Sequence, residues 1–516
     1  MGSPPEGFDL TAETGEPPPA EGATTARPIE QFDRSYTTRI MVILAGLVMI
    51  VMYIEGMLTP SLPSIAHDFN VSVSQVSLVL SVYLVTGVAL SPIAGKLGDI
   101  YGKKRVLVVV LALYTVAVSV TGFSPTFSFM VGSRAVQGIG LTVFPLAMSL
   151  VREEFPREMV PRAMGLLSAL FGAGFAISLP LGSWVSGAFG WRATYHSAIP
   201  FVAAVTILCI WLLRESPYRR PNAYVDYPGA GILAGSLALI VLALSEGPVW
   251  GWTSGVILGM FLVGGILMIV LVFVERRRLR PGDEVILNIR LLRRRNVMVT
   301  NLILTIAGFG MFLAFQALTF RLEYPIVGFG LSIFQTGLSF VAFAGAMLLW
   351  APIASLFVSR TGTKPLTILG LLVGAGGFFL ATRATTLEEL LAVMFMIGSG
   401  LAVVNASVIN LLVLTVEPRD MGLATSMNAV FRNVGSAVGA PLAGSLMSTF
   451  TVTTVVGSLP DSTAFDYAYL IAAAVMGVAA VVTLFAREVL GKRAEVQGLA
   501  SDERPAGSPL ASAEHA

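Results

Sequence analysis

The chain has 516 residues, of which 55% are hydrophobic and only 12% charged, too few charges to cover a water-soluble domain of this size. Its solvent must be mostly lipid. A net charge of +2 without a basic patch gives nucleic acid nothing to bind, and the single cysteine, Cys209 in an apolar run, excludes an internal disulfide and any multi-cysteine metal site.

In chain order, residues 1–39 come first, with Pro4, Pro5, Pro17, Pro18, Pro19 and Pro28 among scattered acids and hardly any large apolar side chains. This composition predicts a disordered tail. The first apolar run begins near Ile40 with no small-residue cleavage site behind it, and reads as a retained span. Apolar stretches then recur near 41–63, 74–94, 104–122, 127–150, 162–188, 194–213, 229–246, 254–274, 297–320, 332–356, 365–382, 389–415, 421–447 and 467–486. Each is long enough to cross a hydrocarbon core of about 30 Å as a helix, the form that satisfies its own backbone inside lipid. A second disordered tail is predicted over 489–516. The expectation is an all-α polytopic membrane protein with fourteen spans.

Counting Lys and Arg tests that order. If the N-terminus is cytoplasmic, twenty-eight fall in cytoplasmic segments and tails, and only Arg192, Arg321 and Arg383 fall outside. The positive-inside rule then places both termini in the cytoplasm, in what is expected to be the cell membrane. The remaining two, Arg134 and Arg432, lie within spans. The loop Glu275–Asn296 mixes eight arginines with Val285, Ile286, Leu287, Ile289, Leu291 and Leu292. It reads either as a segment lying along the anionic inner leaflet or as a topology determinant only.

Pro92-Ile93-Ala94-Gly95, followed by Asp99, Gly102 and Lys104, recurs as Pro352-Ile353-Ala354-Ser355, followed by Ser359, Gly362 and Lys364, at a constant offset of 260 residues. Both copies end the second span of a six-span set, so the chain divides into two duplicated bundles, 40–216 and 297–488. Between them, 217–296 reads as an inserted two-helix hairpin and its basic loop. Gly95-Lys96-Leu97-Gly98-Asp99-Ile100-Tyr101-Gly102-Lys103-Lys104-Arg105 resembles the signature loop of the major facilitator superfamily. Arg134-Ala135-Val136-Gln137-Gly138-Ile139-Gly140 resembles that family's fourth-span motif, and Gly190-Trp191-Arg192 with Pro200 is similar to the start of its sixth span. The inserted pair, with Asp226, Gly229, Gly251-Trp252 and Phe273-Val274-Glu275-Arg276, resembles the fourteen-span drug:proton antiporter branch, the quaternary-ammonium-compound efflux class. One motif departs from the family. Its fifth-span motif is glycine-rich with a Gly-Pro pair, whereas Gly174-Phe175-Ala176-Ile177-Ser178-Leu179-Pro180-Leu181-Gly182-Ser183 has the proline one place late and serines for glycines. That weakens the implication of antiport more than that of the fold; Gly174, Pro180 and Gly182 remain expected helix-packing positions.

Glu55, about two thirds along the first span, costs roughly 2.5–3.5 kcal/mol in a helix centre, so it should face a cavity or spend part of its time protonated. The alternative is a carboxylate hydrated near the outer interface. In the fourteen-span family an acidic residue at about this place is linked to proton coupling, and resemblance gives Arg134 a coupled role; the alternative for Arg134 is a structural side chain bonded to backbone carbonyls. Gly138 is expected to admit a neighbouring helix. Asn428 and Arg432 share one helix face with Gly435, Ser436 and Gly439, and Arg432 either lines the cavity as a second-half counterpart of Arg134 or pairs with Glu417 or a lipid phosphate near the inner surface. Gln137, Asn301, Gln316, Asn405 and Asn410 are further candidate cavity residues at span depth. Resemblance makes the loop of Gly95, Gly98, Asp99, Gly102, Lys103, Lys104 and Arg105 a latch, with Asp99 meeting the positive end of the eleventh helix dipole near Met421. Lys103, Lys104 and Arg105 could equally serve orientation alone.

Together these features imply a monomeric secondary transporter that works by alternating access, with no cofactor. It would be driven by the proton gradient and export lipophilic or cationic compounds, with membrane lipids as its other partners. A solute importer or facilitator on the same fold is the rival. A membrane enzyme finds little support, since His67, His196 and His515 are the only histidines and no HExxH or phosphate-binding loop is present.

Overall fold

A computed structural model describes residues 34–156, 159–215, 225–278, 289–416, 421–454 and 457–488. The first half comprises α1 (Arg34–Gly56), α2 (Leu62–Phe69), α3 (Val73–Val76), α4 (Leu78–Tyr101), α5 (Lys103–Gly122), α6 (Phe127–Gln137), α7 (Val143–Glu154), α8 (Val160–Phe189) and α9 (Trp191–Leu212). Two helices follow, α10 (Tyr227–Trp250) and α11 (Gly255–Arg278), packed against each other. The second half comprises α12 (Ile289–Leu292), α13 (Arg295–Glu323), α14 (Ile333–Thr361), α15 (Thr363–Ala381), α16 (Leu387–Thr415), α17 (Met421–Thr449) and α18 (Ser462–Thr483).

Among the described residues, twelve helical segments are long and apolar enough to cross a membrane. Fourteen were expected. The other two expected spans are α8, of 30 residues, whose qualifying apolar stretch Ala173–Phe189 is shorter, and α17, of 29 residues, which carries Asn428, Arg432 and Asn433. Several boundaries also differ. Residues 34–39, expected in the tail, are the first turns of α1, while 1–33, 489–516 and the loop residues 279–288 lie outside the described residues. One antiparallel hairpin, β1 (Thr451–Thr454) with β2 (Gly457–Pro460), interrupts the all-α expectation, Thr451 pairing with Pro460 and Val452 with Leu459. Ile289 and Leu291, which one of the two readings lays along the lipid leaflet, are 7% and 4% exposed. Their short helix buries them against α4, α11, α13, α16 and α17, because apolar protein is available there as a partner.

Two spans are broken in mid-course. After α1 the chain tightens to a 3-10 turn at Thr59–Ser61, where Pro60 supplies no backbone donor, and continues as α2. Between α6 and α7 the stretch Gly138–Thr142 is also 3-10. Helices starting on the face away from the basic residues carry their own caps: Ser72 with Gln75, Ser332 with Gln335 and Thr386 with Glu389 form reciprocal capping boxes.

The halves meet at that same face. Ser74 N donates to Ser448 Oγ at 2.9 Å, Phe175 of α8 stacks on Phe315 of α13 at 5.7 Å, and α14 packs on α8 where a side chain on Gly337 would strike Ser183. Toward the basic face, Thr425 and Ser426 of α17 and Tyr101 of α4 are exposed.

Candidate functional site

Glu55 and Arg134 come together in the centre of the first half. Their side chains are 2% and 0% exposed, with Glu55 Oε2 3.5 Å from Arg134 Nη2. Tyr114 of α5 donates its hydroxyl to Glu55 Oε1 at 3.2 Å. Arg134 Nε donates to the Val79 carbonyl of α4 at 3.1 Å, and its Nη1 donates to Gln137 Oε1 at 2.6 Å. Gln137 Nε2 donates in turn to Thr121 Oγ1 at 2.9 Å, which donates to Ser133 Oγ at 2.8 Å. Tyr83 lies under the guanidinium, 4.4 Å from ring centre to Cζ. Four elements, α1, α4, α5 and α6, therefore hold one ion pair.

Helix spacing explains the grouping. Arg134 and Gln137 stand three apart on α6 and share a face, and the α6 chain can press against α4 because Gly138 has no side chain. A Cβ there would lie 2.4 Å from the Tyr83 carbonyl. Gly174 and Gly182 likewise bring α8 onto α1, where side chains would strike Met49 and Met57, and Pro180 sits inside α8 between them. The shifted fifth-span motif therefore still supports close packing.

The expected cavity residues divide into four groups. Gln137 belongs to the arginine network instead of a cavity wall. Asn405 and Asn410 donate to the Leu401 and Ala406 carbonyls of their own helix, and Asn301 to Val297, leaving Asn301 Oδ1 buried without a hydrogen bond. Both side-chain polar atoms of Gln316 and of Asn428 are buried without a hydrogen-bonding partner. Arg432 retains accessible surface halfway along α17.

In the signature loop, Asp99 lies 3.9 Å from Lys96 and 3.6 Å from Lys103, while Lys103 also pairs with Glu153 of α7. Gly98 packs on Leu146, and Gly95 has open space where a side chain would stand. Gly102 has φ +106°, the left-handed range that favours glycine. Beyond it, Glu215 accepts from the Lys104 backbone N–H at 3.3 Å and pairs with Arg105 at 3.5 Å. The second half repeats this: Gly362 has φ +89°, and Glu488 accepts from the Lys364 backbone N–H at 2.8 Å. Each half thus caps its third span with a carboxylate placed just after its sixth, a symmetry that the 260-residue repeat did not disclose.

The Major Facilitator Superfamily profile matches residues 44–227 and 304–512. The chain belongs to the Major Facilitator Superfamily. It is therefore an integral membrane transporter and not an enzyme, and residues 228–303, which include most of α10 and all of α11, fall between the two matched segments. Among curated facilitators it is 27% identical over 395 residues to the multidrug transporter protein MdtP of Bacillus subtilis, covering 75% of this chain and 71% of that one. It is 25% identical over 393 residues to the tetracenomycin C resistance and export protein of Streptomyces glaucescens, covering 75% and 71%. The fold matches a solved bacterial homologue of the human lysosomal transporter Spinster with TM-score 0.61 at 14% identity, covering 91% of this chain and 98% of that one.

Tyr83, Tyr114, Thr121 and Ser133, which hold the ion pair and its network, are not among the side chains that a charge or an amide marks at span depth. Hydroxyls at that depth were the available signal. Glu153, Glu215 and Glu488 lie at helix ends, where sequence offers no sign of a distant partner.

Proposed function

We propose that the protein is a proton-coupled exporter of lipophilic compounds working by alternating access in the cell membrane, with fourteen spans, α10 and α11 as an inserted hairpin, and both termini cytoplasmic. The supporting observation is the buried Glu55–Arg134 pair. A carboxylate held by one arginine and one tyrosine is a proton site whose affinity follows geometry: separating the guanidinium favours protonation, and its return favours release. Gln137, Val79 and Tyr83 keep Arg134 in register for that exchange. The names of the matched relatives support export, and the unmatched segment between the two family regions supports the insertion.

Asp99 serves in this reading as a latch. Held by Lys96 and Lys103 while the halves are packed at the far face, it is released to the start of α17 when the basic face closes. Asp99→Asn should shift the protein toward inward-open states, which accessibility of single cysteines on the two faces would measure. Orientation is tested by cysteines at Ser254 and Ser462, which an impermeant thiol reagent should label from outside, and at Arg290, which it should not reach.

Proteoliposomes with imposed proton gradients test the coupling. Glu55→Gln keeps nearly the same volume but cannot exchange a proton; uphill transport should be lost and downhill exchange retained. Full gradient-driven transport by this variant would overturn the assignment and favour a facilitator.

A further inference from the structure

The middle of the bundle carries an excess of positive charge. Among the acidic residues that the structure describes, only Glu55 stands near the centre of a span; the others described fall at helix ends or between helices. Two cations stand within the described spans away from their ends, Arg134 and Arg432, and no described lysine does. Glu55 is already engaged with Arg134.

Arg432 sits on a definite stripe. Thr425, Ala429, Arg432 and Ser436 recur at helical spacing and run inward along α17 from the basic face. Thr425 and Ala429 are exposed, Arg432 is half-buried, and Ser436 is buried with its hydroxyl on the Arg432 carbonyl at 3.0 Å. On one side of the stripe Gly435 and Gly439 press onto the Thr305 and Phe309 carbonyls of α13. On the other, Val430 and Ala437 pack in the cluster of α4 and α10. The stripe therefore opens into the space between α13 and α4, toward the first half. Tyr83, which covers Arg134, shares that buried cluster with Val430 and Ala437 of α17. Phe312 of α13, only partly buried, packs against the same cluster as Val430 and Ala437, and its ring stands 6.1 Å from the packed Phe315, on which the partly buried Phe175 stacks at 5.7 Å.

We propose that this space binds lipophilic organic acids, Arg432 pairing with the carboxylate or phenolate of the substrate while Phe175 and Phe312 take its apolar body. The inference rests on the transport reading above and narrows its substrate class. A guanidinium presents paired donors that match a carboxylate. A lipophilic cation meets the opposite situation, since Glu55, the one mid-span carboxylate among the described residues, is held by Arg134, and like charge in a low-dielectric space repels it. Asn428, one turn from Arg432 and buried without a hydrogen-bonding partner, offers an amide to the same ligand.

Fluorescence anisotropy on the purified protein in detergent tests this with dyes of one scaffold: anionic fluorescein, cationic rhodamine 123, and uncharged fluoran as competitor. Fluorescein should bind at least about tenfold more tightly than rhodamine 123, a difference of about 1.4 kcal/mol, and fluoran should compete poorly. Arg432→Gln should erase the preference for fluorescein, and Arg432→Lys should keep most of it. Equal or tighter binding of rhodamine 123 by the unmodified protein would overturn the inference, as would fluorescein affinity unchanged in a folded Arg432→Gln. The ranking of the three dyes needs no variant, so a misfolded substitution leaves the test intact. No proton gradient is present, so failure here leaves the Glu55 coupling standing, and failure of coupling leaves the charge preference standing.

Discussion

The two halves share a fold and a repeat but place their polar groups differently. In the first half the charged and amide side chains near the centre are tied into one network, Glu55 to Arg134 and Tyr114, Arg134 to Gln137, Gln137 to Thr121. In the second half Gln316 and Asn428 are buried without hydrogen-bonding partners, and Arg432 borders an open stripe. A buried polar group left without a partner costs roughly 1–3 kcal/mol, so the second half keeps groups that a ligand can complete. The first half keeps a charge pair whose integrity it must protect. Duplication supplied one scaffold, and the proposed division of labour between proton and substrate would lie in which half is satisfied.

The strongest way to break that contrast is to remove Arg134. Arg134→Ala leaves Glu55 buried without its cation and should cost about 3–5 kcal/mol, read as a large fall in the thermal unfolding midpoint in detergent. Arg432→Ala should cost far less; equal losses would show that both arginines are structural. Combining Glu55→Gln with Arg134→Gln should cost less than the two single losses together, as expected for groups in contact.

Tyr114→Phe is the next test. It removes a hydrogen bond to a charged group, worth about 1.5–3 kcal/mol, and should lower stability while sparing dye binding. An effect on fluorescein affinity as large as that of Arg432→Gln would mean that proton and substrate sites are one.

Glycine packing gives a further comparison. Gly435→Ala places a methyl group 1.9 Å from the Thr305 carbonyl and should destabilise by about 1–3 kcal/mol. Gly95→Ala, which meets open space, should change the unfolding midpoint little. The smallest effect tests the symmetry itself. Glu215→Ala and Glu488→Ala each remove a helix cap worth about 0.5–2 kcal/mol, and the two losses should match. Unequal losses would show that the halves differ at their basic ends as well as at their centres.

Much of this was legible before any coordinate. Span length and composition determine where lipid-crossing helices form, since a backbone in hydrocarbon has no other economical partner than itself. The repeat of Pro92 to Lys104 in Pro352 to Lys364 determines the duplication, and the signature loop and fourth-span motif mark the family. A lone carboxylate at Glu55 stands out because burial makes it costly, whatever surrounds it. Which residues meet it was another matter. Tyr114 lies 59 positions from Glu55 and Arg134 lies 79 away, and no periodicity links separate helices. Their meeting depends on helix packing, on Gly138 against the Tyr83 carbonyl and Gly174 against Met49. Packing likewise took Gln137 from cavity wall to arginine partner, buried Ile289 and Leu291 in protein, and turned Arg432 toward open space. Sequence determines which side chains require a partner in lipid, because that cost is a property of each residue; only tertiary structure decides which of them receive one, because helix rotation and contact are properties of the whole bundle.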